Sequence, residues 1–162
     1  MGLDMYLNVR KYVSQTDWSK IGEYRDKGYD KMPDNPEYGK LINIVDLDGL
    51  VDNAGHGGLY VSATAIYWRK ANAIHQWFVD NCAEGVDDCR PVWVSKDQLE
   101  ELYQLVCEVL AHRTQEKAEE LLPPQTGFFF GSSEIGEWYW EDMKYTRDSL
   151  KSLLETHGKK SM

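Results

Sequence analysis

Residues 3–10 alternate, with Leu3, Met5, Leu7 and Val9 on one side and Asp4, Tyr6, Asn8 and Arg10 on the other. This period of two predicts a half-buried strand. A strand satisfies its backbone donors and acceptors only by pairing, so the chain requires a sheet. Further along, the apolar spacing changes to threes and fours, which predicts helices. Residues 66–82 carry Trp68, Ala71, His75, Phe78 and Cys82 at helical spacing, with Ile74 and Trp77 beside them. Ser95 and Gln98 form a capping box that opens a helix whose stripe is Leu99, Leu102, Tyr103, Val106 and Leu110. A last helix over 135–157 aligns Tyr139, Met143, Thr146, Leu150 and Leu154, with Gly158 as its terminator. The expected fold is α+β: a small, mostly antiparallel sheet covered by three or four helices.

Between these elements the chain is punctuated by breakers. Residues 14–40 hold Gly22, Gly28, Pro33, Pro36 and Gly39 among many charges and read as a loop-rich insertion, with one short helical turn after Thr16. Residues 40–52 lean towards a helix. Asn53 to Gly58 form a glycine turn, followed by a short strand at Leu59 to Ser62. Pro91 to Val94 read as another short strand. Pro123-Pro124 close the helical region that includes Ala118 to Leu122, and Phe128-Phe129-Phe130, between Gly127 and Gly131, read as a buried aromatic strand. With 162 residues and no internal repeat, the whole of 1–162 is expected to be a single globular domain with a frayed tail at 159–162.

The formal charge of −9 repels phosphate backbones, and the cations are interleaved with Asp and Glu, so direct nucleic-acid binding is not expected. Such a surface suits basic protein partners, although many proteins are acidic for solubility alone. No apolar run approaches the ~20 residues that cross a bilayer, and the start has no signal-peptide pattern, so a cytoplasmic protein with no membrane contact is expected. Cys82, Cys89 and Cys107 include no close pair and are expected as free thiols.

Most catalytic templates fail. The phosphate loop, the dinucleotide fingerprint and the nucleophile elbow are missing, and Asp46-Leu47-Asp48-Gly49 places its glycine too early for a calcium loop. The glycines around His56 read first as a turn. His75, Cys82 and Cys89 lack the tight spacing of a zinc site, so neither a metal nor a cofactor is expected, and the chain leans away from being an enzyme.

The candidate ligand-binding residues are Trp68, Arg69, Asn72, His75, Gln76 and Phe129. Arg69, Asn72 and Gln76 form a polar helix face able to clasp a carboxylate or phosphate, against the simpler reading of a solvated face. His75 is either a tuned acid or base or a core histidine bonded to a carbonyl. Phe129 supplies the floor beneath that helix. Trp138 and Trp140 lie two apart on a helix, so one indole must be exposed or in an interface.

Met1 to Leu7 (MGLDMYL), Tyr67 to His75 (YWRKANAIH), Leu121 to Gly131 (LLPPQTGFFFG) and Trp138-Tyr139 resemble an uncharacterised bacteriophage and prophage protein family over nearly the whole chain. The resemblance implies a genetic setting, carries over no catalytic residue, and does not extend to residues 14–40. It leads to an expected non-enzymatic binding protein acting on a host protein or defence component. Two alternatives stand beside it: a protein that binds or hydrolyses a small aromatic or anionic, nucleotide-like ligand, and a virion or assembly component.

Overall fold

The computed structural model describes residues 3–28, 32–51, 55–126 and 133–160. It is an α+β structure with a two-stranded antiparallel sheet, β1 (Asp4–Ser14) and β2 (Gly58–Arg69). Six α-helices, rather than three or four, lie among the described residues: α1 (Ile21–Asp26), α2 (Pro36–Ile44), α3 (Asn72–Cys82), α4 (Lys96–His112), α5 (Gln115–Leu121) and α6 (Glu137–Lys160). The chain divides into two compact units, Asn8–Thr64 and the combination of Met1–Leu7 with Ala65–Met162.

In the Asn8–Thr64 unit, the segment after β1 is more ordered than a loop. A 3-10 turn at Trp18–Lys20 leads into α1, and Thr16 bridges Asp34 in antiparallel fashion. Asn35 caps α2 by accepting from Glu37 N, with Pro36 at the first helical position where its missing N–H costs nothing. The helix therefore begins before residue 40, and 45–51 are turns. The Thr16 hydroxyl donates to the Gly55 carbonyl, and position 55 favours glycine twice over, through its φ of +87° and because a Cβ there would meet Met32 at 3.0 Å. Asn53 and Ala54 of the predicted turn lie outside the described residues. Val13, Tyr38 and Ile42 are the buried core of this unit, with Leu41, Leu47, Val51 and Leu59 packed on it.

In the other unit, α4 and α6 form the main helix pair. The capping box stands as expected: Ser95 Oγ accepts from Gln98 N at 3.1 Å, and Ser95 N donates to Gln98 Oε1 at 2.9 Å. Leu99, Leu102, Val106 and Val109 of α4 are buried, as are Tyr139, Met143, Thr146 and Leu150 of α6. Arg113 ends α4 in the left-handed region at φ 48°, separating it from α5, which stops just before the two prolines. Helix α6 continues through Gly158 to Lys160, a glycine inside a helix costing only about 1 kcal/mol.

The largest departure from the sequence reading is at residues 58–71. The short strand at 59–62 and the start of the helix at 66 are replaced by one twelve-residue strand, and α3 begins only at Asn72. Ile66 and Trp68 are buried while Tyr67 and Arg69 are exposed, which is strand alternation. Pairing with β1 decides the outcome: Lys70 N donates to Leu3 O at 2.7 Å, and the Tyr67 hydroxyl donates to Asp4. Residues 91–94 form no strand; Val92 and Trp93 are exposed. The aromatic run at Phe128 to Phe130 lies outside the described residues.

Candidate functional site

The link between β2 and α3 is tightly wound. Lys70 occupies the left-handed region at φ 59°, uncommon for a side chain of this kind, and Asn72 N donates back to Lys70 O at 2.9 Å around Ala71. Helix α3 starts here with Ala71 at its N-cap, no side-chain cap and no acidic residue in its first turn. The first amides of an uncapped helix carry partial positive charge. Asn72 is buried, and its Oδ1 accepts from Gln125 N at 3.1 Å, tying the helix start to the chain that follows the two prolines.

This link forms one wall of a concavity of about 560 Å³; the other wall is the start of α6 with the residues before it. Arg69, Lys70 and Asn72 line the first wall, and Glu134, Glu137, Trp138 and Asp142 line the second. Buried Ile74, Tyr139 and Met143 also line it. Tyr139 is held in place by donating its hydroxyl to Leu122 O at 2.9 Å, and burial raises its pKa. Trp138 is 82% exposed.

Charge is segregated between the walls, with both cations on the β2–α3 side and all three carboxylates on the α6 side. Among the described residues, no ion pair neutralises Arg69, Lys70, Glu137 or Asp142. Asp142 is half-buried, and loss of solvent pushes its carboxyl up from 3.8 to about 6. A perturbed carboxyl in a cleft marks a candidate for function. Among the described residues, no group of three or more His, Cys, Asp or Glu is placed to hold a metal ion.

Of the residues singled out from sequence, Arg69 and Asn72 come together on this wall. Trp68 is buried beside them in sequence but outside the concavity, and its Nε1 donates to the buried Thr146 Oγ1 at 2.9 Å. His75 and Gln76 do not line the concavity either: His75 Nε2 sits 3.0 Å from Asp87 Oδ2, and Gln76 Nε2 donates to Asp80 Oδ1 at 2.8 Å. Arg69 lies on a strand, so Arg69, Asn72 and Gln76 share no helix face. Phe129 lies outside the described residues.

Lys70, Glu137 and Asp142 were not anticipated. The available signal was the four-residue step from Trp138 to Asp142, which places the two on one helix face. The expectation that one of the two indoles is exposed holds for Trp138, while Trp140 is half-buried. The three cysteines are free thiols. Comparison with protein-family models, with curated proteins and with solved structures finds no match to this chain.

Proposed function

We propose that this chain is a non-enzymatic binding protein that holds a small aromatic ligand with an anionic group in the concavity between the β2–α3 link and α6. The observation that carries this reading is the pair Arg69 and Lys70, free of ion pairs among the described residues, on the wall of a concavity large enough for a mononucleotide-sized ligand. The uncapped start of α3 adds to the attraction for an anion, and the exposed Trp138 offers a ring on which an aromatic group can stack. In the bacteriophage setting that the sequence resemblance implies, such a ligand would be a small host signal.

A thermal-shift panel of mononucleotides, cyclic nucleotides, aromatic carboxylates and aromatic amino acids tests this. A ligand at 100 times its dissociation constant adds about 2.7 kcal/mol to stability. At least one panel member is expected to raise the melting temperature of the native chain and to lose that effect in Arg69→Ala/Lys70→Ala. A panel that leaves the melting temperature unchanged removes the proposal.

A second reading, docking on a host protein, is favoured by Trp93 and Trp138, which are 85% and 82% exposed on an acidic chain. It predicts a host protein retained on the immobilised chain at moderate salt and released by Trp93→Ala/Trp138→Ala. Equal retention by that variant counts against it.

A further inference from the structure

The charge segregation of the concavity says more about the ligand than its anionic end. Resting on the reading above, we infer that the site selects a zwitterion: an aromatic molecule carrying both an anionic group for Arg69 and Lys70 and a protonated amine for Asp142 and Glu137. A ligand that is only anionic would satisfy the β2–α3 wall while facing Glu137 and Asp142 across the concavity, and like charges in a partly desolvated site repel. A ligand that is only cationic meets the converse problem at Arg69 and Lys70. A molecule with both poles neutralises both walls, and no ion pair among the described residues competes for those four side chains.

Helix geometry places an aromatic ring beside the carboxylate pole. Trp138 and Asp142 are four residues apart on α6, so the exposed indole and the half-buried carboxylate share one face. An ammonium beside Asp142 can therefore belong to the same molecule whose ring stacks on Trp138. Loss of solvent already disfavours the Asp142 carboxylate, so a bound ammonium stabilises its charged form and binding draws a proton off it. The aromatic amino acids are the smallest common molecules with this combination of groups.

L-Tryptophan, indole-3-propionate and tryptamine differ only in which pole they carry and serve as the probes. Titration calorimetry on the full chain at neutral pH is expected to show L-tryptophan binding at least about tenfold tighter than either single-pole analogue. Asp142→Asn keeps the side chain's shape and removes its charge; it is expected to narrow the advantage of L-tryptophan over indole-3-propionate severalfold, weakening the first and, by removing a like charge, tightening the second. Near pH 6, where the unliganded Asp142 carboxyl is about half protonated, a partial proton release on binding L-tryptophan, read from the buffer dependence of the heat, should vanish in the same variant. Indole-3-propionate binding as tightly as L-tryptophan overturns the zwitterion inference but leaves an anionic aromatic ligand standing. Failure of all three probes at millimolar concentration also overturns it, and the nucleotide panel then decides the broader proposal separately.

Discussion

Asp142 shows how a residue of the proposed site can burden the fold. Its carboxyl titrates at 3.8 when solvated and at about 6 in the folded chain, so between those values the native state holds more protons than the unfolded one. Stability therefore falls as pH rises through that window, and the cost is fully present above it. Asp142→Asn is expected to stabilise the protein at neutral pH by about 1–2 kcal/mol, discounted for the solvent the half-buried group still meets. The gain should shrink to nothing as pH approaches about 4. Urea melts of both forms at the two pH values measure this. An equal gain at both would show that ionised Asp142 is not what burdens the fold. Lys70, on the opposite wall, carries a comparable cost, because a left-handed backbone at a non-glycine residue is disfavoured.

At the level of elements, the junction between α3 and α4 depends on a few side-chain hydrogen bonds. Ser95 and Gln98 satisfy each other's backbone donors, and Gln98 Nε2 also donates to Asn81 O of α3 at 2.7 Å. Ser95→Ala should cost about 1 kcal/mol, as losing an N-cap generally does. Gln98→Ala should cost at least as much, since it removes half of the capping box and the bond to α3 together. Denaturation midpoints of the two variants decide the order, and a smaller loss for Gln98→Ala would mean that the bond to α3 contributes nothing. The stripe from Leu99 to Val109 then carries α4 onto α6. Most of the stability of such a helix comes from that apolar face rather than from its ends.

Across the whole molecule the apolar core is unevenly distributed. Among the described residues, three buried side chains, Val13, Tyr38 and Ile42, form the core of the Asn8–Thr64 unit, whereas sixteen form that of the other unit. Burial of apolar area is the main favourable term in folding, so local opening should be cheapest where least is buried. Native-state hydrogen exchange is expected to be fastest, among structured amides, in α1 and α2 and slowest in α4 and α6. Equal protection in both units would contradict this ordering. The concavity belongs to the unit with the larger core, which suits the proposed site, where opposed charges must be held at fixed positions.

What could be read from the sequence is what depends on neighbours along the chain. The alternation from Leu3 to Val9, the reciprocal cap at Ser95 and Gln98, and the stripes of α4 and α6 all concern residues within a few positions of one another. Helices satisfy their backbone groups locally, so their presence is written locally. The stretch Ile66-Tyr67-Trp68-Arg69 fits both a helix stripe and an alternating strand, and only pairing with β1, 63 residues earlier at Tyr67 and Asp4, selects the strand. That choice moved Trp68 into the core, put Arg69 and Lys70 at the lip of the concavity, and sent His75 and Gln76 elsewhere. The proposed site depends on the same kind of distant contact. Arg69 and Asn72 were legible as a polar cluster, but the carboxylates that oppose them come from a helix some seventy residues on, and tertiary packing alone brings the two walls together.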